Sequence, residues 1–172
     1  MKMRFLVAVA TLLVGGVVHA HSASDAYLTF ETPTRAAGTT VVEGQWDIAL
    51  RDLNFVIKLD DDGDGNITWG EARRHHAEIA RYAYSNLRAS GDGAPCTVEP
   101  SRQLVTDHAD GAYAALFFRI VCKGTPRRLA LDYRLFFAVD PSHRGILVFR
   151  SGGGTATSLL SPDNAQVGLA LP

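Results

Sequence analysis

A run of twelve residues carries a large share of the side chains that could bind a metal ion. Residues 60–71 read DDDGDGNITWGE, and they contain five of the chain's 18 acidic residues and no Lys or Arg. Carboxylates at alternate positions, then a glycine and a closing glutamate, form the pattern with which one short loop wraps a calcium ion. The run therefore predicts an EF-hand calcium loop.

The chemistry of calcium assigns a role to each position of this loop. Calcium is a hard cation that takes six to eight oxygen ligands at about 2.3–2.6 Å, and the glycine at position six permits the sharp bend. A glutamate that closes the shell with both oxygens favours calcium over magnesium, which prefers a smaller octahedral shell. The predicted ligands are Asp60, Asp62, Asp64, Asn66 through its backbone carbonyl, Thr68 through a water molecule, and Glu71, with Gly65 at the bend and Ile67 pointing to the core.

The flanks of the loop match the motif less closely than the loop itself. Phe55 precedes the loop where an apolar residue is expected, but Asp52, His75 and His76 stand at positions that are usually apolar. The alternative interpretation is an acidic turn that only begins a helix, and the six matched positions argue against it. No second loop is visible, so this one must dock on the rest of the domain, dimerise or bind calcium weakly alone.

The elements around the loop are mostly strands. Residues 41–50, 111–122 and 128–139 alternate apolar and polar side chains, which predicts half-buried strands, and shorter candidates lie at 26–31, 96–98, 103–106 and 145–150. Asp110-Gly111 predicts a hairpin over 103–122. Residues 71–87 lack Gly and Pro and carry apolar residues at helical spacing. We therefore expect a mainly β (α+β) domain, an antiparallel β-sandwich with an inserted EF-hand-like loop and helix at about 51–87.

The first 20 residues resemble an export signal. A basic start with Lys2 and Arg4 precedes about 14 mostly apolar residues and a small-residue cleavage site that ends at Ala20. A membrane anchor is the alternative, but the apolar run is shorter than the roughly 20 residues a spanning helix needs. We expect a signal peptide over 1–20, a β-rich domain over 21–150, a Gly-rich joint and tail over 151–172, and a periplasmic or secreted mature protein.

The cysteines and the net charge indicate the cellular compartment and the kind of partner to expect. Cys96 and Cys122 are the only cysteines, and an oxidising compartment favours a disulfide between them over free or metal-binding thiols. The mature chain has 15 basic and 18 acidic residues. Because a nucleic-acid-binding protein needs a basic surplus, no nucleic-acid partner is expected.

No methionine follows Met3, so a switch that opens a Met-rich groove is not expected, and calcium is predicted to be structural or modulatory.

Two other functions compete with calcium binding. Signal cleavage would leave His21 as the first residue, and its amino group and imidazole could bind copper together with His108 or His143, similar to CopC-like copper carriers and lytic polysaccharide monooxygenases. A hydrolase could use Ser158 or Ser161 with His143 and Asp140. No nucleophile-elbow pattern or zinc-type histidine pair accompanies these residues, so we do not expect an enzyme.

Several segments together resemble a known family. These are residues 21–28, 45–53, the acidic loop with Trp69-Gly70-Glu71, 131–136 and 143–145. The arrangement is similar to the exported N-terminal region of HupE/UreJ-like bacterial membrane proteins. This resemblance implies an exported domain that carries a single calcium loop and acts beside a membrane-protein partner. Relatives of this kind continue into membrane helices and have been linked to metal-ion handling, but no transport residue is carried over to this chain.

Overall fold

The computed structural model describes residues 24–172, so the predicted signal peptide and His21 lie outside the described residues. Ten strands and three short helices make up this part of the chain. They are β1 (Asp25–Phe30), β2 (Thr34–Ala36), β3 (Thr39–Ala49), α1 (Leu50–Ile57), α2 (Trp69–Arg74), α3 (His76–Ser85), β4 (Leu87–Gly91), β5 (Ala94–His108), β6 (Gly111–Lys123), β7 (Arg128–Tyr133), β8 (Arg144–Ser151), β9 (Gly154–Leu160) and β10 (Gln166–Ala170).

All ten strands belong to one sheet, and the predicted mainly β, α+β fold is confirmed. The strand order is β10-β7-β4-β5-β6-β3-β1-β8-β9, with β2 paired to β3 outside this path. Among the described strands β1 and β8 pair in parallel, and the other ladders are antiparallel. The strands at the two ends of this order, β9 and β10, follow each other in sequence through a turn that contains an isolated Ser161–Asn164 bridge. The sheet therefore curls until it nearly closes.

The core lies between the two facing halves of this curled sheet. Trp46 on β3 and Tyr133 on β7 are fully buried, and their ring centroids are 5.5 Å apart. Phe30 on β1 meets Phe118 on β6 edge to face at 5.8 Å. The first contact joins the two layers, because β3 and β7 are four places apart in the strand order. The second lies within one layer, over Gly44 of the intervening strand β3. Both layers belong to one continuous sheet.

The alternation of apolar and polar residues predicted the long strands well, because one face of each strand is buried in the core. The expected strands over 41–50 and 111–122 correspond to β3 and β6, and the hairpin at Asp110-Gly111 joins β5 to β6. The short candidates over 96–98 and 103–106 are parts of the single strand β5, which has a register shift between Pro100 and Arg102. A bulge at this position thus joins the two predicted strands into one.

Two predicted elements are shorter than expected. The strand predicted over 128–139 ends at Tyr133, because Phe136 has a positive φ of 59° and the following residues form turns. The helix predicted over 71–87 breaks at His75, which is the C-cap of α2 and the N-cap of α3. Its last predicted residue, Leu87, instead begins β4, which pairs with β7 and β5.

The predicted disulfide is confirmed. Cys96 on β5 and Cys122 on β6 are joined, and their Cα atoms are 4.5 Å apart. No helix within residues 24–172 is both long and apolar enough to cross a membrane.

Candidate metal centre

The acidic loop leaves helix α1 through a fixed turn. Lys58, the residue after α1, has a left-handed conformation with φ 65°. The Oδ1 atom of Asn54, in the last turn of α1, accepts hydrogen bonds from the backbone N–H groups of Leu59 (2.7 Å) and Asp60 (3.0 Å). Leu59 is fully buried. The first residue of the loop is thus held by the helix side chain and by a core residue beside it.

Inside the loop, carboxylates fold the backbone around themselves. The two oxygens of Asp60 accept hydrogen bonds from the N–H groups of Gly63 (2.8 Å) and Gly65 (3.0 Å). Both glycines have positive φ values, 74° and 85°, which side-chain-bearing residues rarely adopt. Asp62 Oδ1 accepts a hydrogen bond from the N–H of Asp64 at 3.1 Å. The loop therefore curls toward the side chain of its first residue.

Glu71 closes the loop from the first turn of α2. Thr68 caps this helix, and its hydroxyl accepts a hydrogen bond from the N–H of Glu71 while the Glu71 side chain accepts one from the Thr68 N–H, which is a capping box. The other carboxylate oxygen accepts the N–H of Asp61 at 2.9 Å. Glu71 is 2% exposed. The hydrogen bonds from Thr68 and Asp61 lower the pKa of Glu71, so it is a carboxylate near neutral pH.

The structure brings three of the predicted ligands together. Oxygen atoms of Asp60, Asp62 and Glu71 all lie within 4.8 Å of one another. Two oxygens on opposite sides of one calcium ion are about 4.6–5.2 Å apart, so these three could contact a single ion. Asp64 lies outside this group, and its Oδ1 accepts a hydrogen bond from the backbone N–H of Asn66 at 2.7 Å. Thr68 is engaged with Glu71 through its hydroxyl at 2.7 Å.

A clamp that the sequence did not reveal ties the loop to its outgoing helices. The Nε and Nη2 atoms of Arg74 donate to Asp61 Oδ2 at 2.8 and 2.7 Å, and His75 Nε2 lies 2.8 Å from Asp61 Oδ1. Hydrogen bonds from His75 and Arg74 lower the pKa of Asp61, and Asp61 together with Glu78 raises the pKa of His75. The second loop carboxylate is thus turned outward and partly neutralised, which reduces repulsion among the remaining acids.

The other face of the loop rests on the body of the domain. Ile67 is partly buried against the main hydrophobic core, as its position in the loop predicted. Arg51, at the start of α1, donates to the backbone carbonyl and to the carboxylate of Asp110 in the β5–β6 turn, both at 2.9 Å. Gly65, Ile67 and Asp110 line one small cavity. The β5–β6 turn therefore lies beside the acidic loop.

The histidines considered for copper have other partners. His143 is fully buried, with Nδ1 at 2.7 Å from Ser24 Oγ and Nε2 at 2.6 Å from the Tyr133 hydroxyl. His108 Nε2 lies 3.2 Å from Asp47 Oδ2, and its ring stacks on Tyr113 at 4.1 Å.

The residues considered for a hydrolase are not arranged as a triad within the described part of the chain. Asp140 accepts hydrogen bonds from the backbone N–H and hydroxyl of Ser142 at 2.9 and 2.6 Å. Ser158 lies on β9, Ser161 pairs with Asn164 in the following turn, and neither contacts His143.

The partners of His143 form a buried polar chain that sequence reasoning missed. The hydroxyl of Ser24 donates to Asp52 Oδ2 at 2.9 Å, so its oxygen is left to accept a hydrogen bond from His143 Nδ1. Burial raises the pKa of Tyr133, so its hydroxyl donates to Nε2 of the neutral imidazole. No local pattern could have revealed this chain, because Ser24 and His143 are 119 residues apart.

Comparison with protein-family models and with curated sequences identifies no relative. No model of a protein family matches the chain, and no curated protein sequence matches it. The geometry of the site therefore carries the argument about function.

Proposed function

We propose that this chain is an exported calcium-binding protein whose EF-hand-like loop holds one calcium ion. The observation that carries the proposal is the convergence of oxygens from Asp60, Asp62 and Glu71 within 4.8 Å at the mouth of a loop bent by two positive-φ glycines. Exposed acidic groups often cluster without an ion. Here the closing carboxylate is buried and comes from a different element, which supports a preformed site.

The remaining ligands of the proposed shell come from the same loop. Asp64 would supply a third aspartate oxygen, Asn66 its backbone carbonyl, and Thr68 a bridging water molecule. All-oxygen ligands are what a hard cation prefers, and a bidentate Glu71 suits the larger shell of calcium better than that of magnesium. When bound, the ion would supply positive charge among the clustered carboxylates and so remove their repulsion.

A structural or modulatory role for calcium is supported by how the loop is mounted. Ile67 packs on the core, Leu59 is buried, and Arg51 ties α1 to Asp110 of the sheet. These contacts hold the loop against the domain in one arrangement. Calcium would stabilise that arrangement and the surface around it, for which the family resemblance suggests a membrane-protein partner.

An extracytoplasmic location is part of the same proposal. The Cys96–Cys122 disulfide is typical of proteins from oxidising compartments such as the periplasm. Calcium sites of extracellular proteins bind in the range of about 10⁻⁴ to 10⁻³ M, and we expect an affinity near that range.

The mature chain, residues 21–172, tests the calcium site directly. Trp69 lies in the loop and is 58% exposed, so its indole should sensitise the luminescence of bound terbium. Calorimetry should show calcium heat with one site per chain, and calcium at about 100 times its dissociation constant should raise the free energy of unfolding by about 2.7 kcal/mol. If the protein shows no sensitised terbium emission and no calcium heat, the proposal is wrong.

Glu71→Gln tests the closure of the shell. Loss of one closing oxygen should weaken calcium binding by about 100-fold, since even partners outside the ligand shell cost 10–100-fold. Glu78→Gln is the matched control, because it makes the same chemical change at a glutamate that contacts His75 and lies outside the loop. Equal calcium affinity in the two variants would contradict the role of Glu71.

A further inference from the structure

A second cleft lies on the side of helix α1 that faces the turn after β7. Its volume is about 490 Å³, and it opens to solvent between α1 and the turn before β8. None of the predicted calcium ligands lines it. The lining side chains used below are Ser24, Asp52, Phe55, Phe136, Val139 and Asp140.

Apolar side chains form part of the wall of this cleft, and two of them are exposed to solvent. Phe55 is 68% exposed and Val139 is 48% exposed, which places both among the most exposed large apolar side chains of the described residues. Phe136, only 2% exposed, also lines the cleft. An exposed aromatic ring beside a concave surface is typical of a binding site, because covering it removes apolar area from water.

The polar groups of the cleft are mainly acidic. Asp52 and Asp140 both line it, and the hydroxyl of Ser24 donates to Asp52 at 2.9 Å. Burial raises the pKa of Asp52, and the nearby carboxylates of Asp140 and Asp25 raise it further. A cation that entered the cleft would relieve this repulsion.

The one basic side chain that lines the cleft is already shared. The guanidinium of Arg51 donates to Asp110 at 2.9 Å through two nitrogens, and its Nε lies 3.6 Å from Asp52 Oδ1. Its single positive charge therefore serves Asp110 as well as Asp52, and Asp140 adds a further negative charge. The side chains that line the cleft thus carry two negative charges and one positive charge.

The ring of Phe55 also accepts a cation from the chain itself. The ammonium nitrogen of Lys58 lies 5.8 Å from the centroid of this ring. Ammonium groups are attracted to the faces of aromatic rings, and the attraction grows when the pair is shielded from water. An aromatic wall beside two carboxylates is the combination that suits a positively charged nitrogen on an apolar chain.

We propose that this cleft binds an alkylammonium group, with the charged nitrogen near Asp52 and Asp140 and the alkyl chain between Phe55 and Val139. The ligand could be a free amine or the side chain of a lysine in another polypeptide, since both present the same chemistry. The site is independent of the calcium loop. It should bind its ligand with or without calcium.

Nuclear magnetic resonance of the ¹⁵N-labelled mature chain, residues 21–172, can test this with defined probes. n-Pentylammonium should shift amide signals of α1 and of residues 136–140 with a dissociation constant of about 1 mM, which is reasonable for so small a ligand. n-Pentanol, which lacks the charge, and ammonium chloride, which lacks the chain, should not bind at this concentration. Equal shifts with n-pentanol would overturn the role of the carboxylates.

Two variants with matched controls locate the binding. Phe55→Ala should weaken n-pentylammonium binding by about fivefold, whereas Leu159→Ala, which removes a similarly exposed side chain from β9, should not. Asp140→Asn keeps an oxygen for the turn at Ser142 and loses only the charge. It should also weaken binding by about fivefold, and Asp163→Asn in the distant turn should not. Unchanged affinity in both cleft variants would overturn the proposal.

A lysine-containing peptide distinguishes the two sources of the ligand. If N-acetyl-Leu-Lys-Leu-amide binds more tightly than n-pentylammonium and its glutamine analogue does not bind, the cleft receives a lysine side chain. If only n-pentylammonium binds, the cleft receives a free amine. If neither probe binds, the proposal is wrong.

Discussion

The acidic loop and the buried chain around His143 are two polar regions built in opposite ways. Every carboxylate hydrogen bond within the loop or to its outgoing helices joins residues no more than 14 positions apart, and the widest pair is Asp61 and His75. The buried chain joins Ser24 to Asp52, 28 residues away, and to His143, 119 residues away. Local sequence can form the first, but only the folded sheet can form the second.

The two regions also differ in what their polar groups face. The loop is mostly exposed, and its carboxylates accept hydrogen bonds from the loop's own backbone while three of them keep oxygens close together. His143 is fully buried, and both of its nitrogens have a partner within the protein. The first arrangement leaves room for an ion. Around His143 itself no ring nitrogen is left for an ion, so this part of the chain serves stability.

Among the variants proposed for the two regions, removal of the His143 side chain should cause the largest fall in the free energy of unfolding. His143→Ala deletes a buried ring that packs on Phe136 at 4.9 Å and leaves the Tyr133 hydroxyl without its partner. We expect the free energy of unfolding to fall by about 3 kcal/mol in urea denaturation, with calcium affinity unchanged.

His76→Ala is the matched control for this change. The Nε2 atom of His76 is buried without a hydrogen-bond partner among the described residues, so its removal leaves no partner unpaired. We expect a loss of about 1 kcal/mol. Equal losses in the two variants would show that the hydrogen bonds of His143 contribute nothing.

Acid should weaken the buried region through the same histidine. Burial lowers the pKa of His143 to about 4, against about 6.5 in an unfolded chain. The unfolded chain therefore binds a proton first as the pH falls. The stabilisation is fully present above about pH 6.5 and should be lost progressively down to about pH 4, by about 3 kcal/mol in total.

Urea denaturation at several pH values, with calcium chelated throughout, measures this loss. His143→Gln should lack the part of the pH dependence that lies between about pH 6.5 and pH 4. An identical slope in the wild-type protein and this variant would assign the effect to other groups.

Two glycines are required for different reasons. Gly145 lies where a side chain has no space, and Gly65 has a positive φ that other residues rarely adopt. A Cβ atom at Gly145, on β8, would lie 2.9 Å from Cζ of Tyr133 and 3.3 Å from Cβ of Leu160. Because Tyr133 is held by His143 and cannot move aside freely, we expect Gly145→Ala to lower the free energy of unfolding by about 2 kcal/mol. Thermal or urea denaturation of the calcium-free protein would check this, and an unchanged stability would mean that Tyr133 can shift.

Gly65→Ala should have the smallest effect on stability. Its Cβ would meet nothing within 4 Å, but φ is +85°, so the cost is conformational and about 1 kcal/mol. The same strain should weaken calcium binding, because the bend at position six would be harder to keep. Gly152→Ala is the control, since its Cβ also meets nothing and its φ lies outside the positive region. Calorimetry should show weaker calcium binding for Gly65→Ala alone.

Sequence patterns predicted the strands that bury one face in the core and expose the other to solvent. Val42, Trp46 and Ile48 are fully buried on β3, which is why their spacing indicated a strand. The same rule overextended β7, because Leu135, Phe137 and Val139 continue the alternation but lie in turns. It missed β4, whose five residues include Arg88 and Gly91 and give little alternation.

The candidate site shows the same division. The bend at Gly65 and the packing of Ile67 follow from their positions in the loop. Spacing did not predict the cap at Thr68, although it depends only on Glu71 three residues away. The clamp of Asp61 by Arg74 and His75 did not follow from spacing, since it requires α2 to end at His75 and turn both side chains back.

The sequence alone determined the positions of the acidic loop, the alternating strands and the cysteine pair, since each is recorded in short-range spacing or in residue type. Only the tertiary structure decided that one nearly closed sheet supports the loop through Asp110, and that Ser24, Asp52, Tyr133 and His143 meet. The physical reason is the distance along the sequence between the residues that contact one another. A turn or strand is stabilised by residues a few positions apart, whereas a buried polar chain and an open cleft exist only after distant strands have packed.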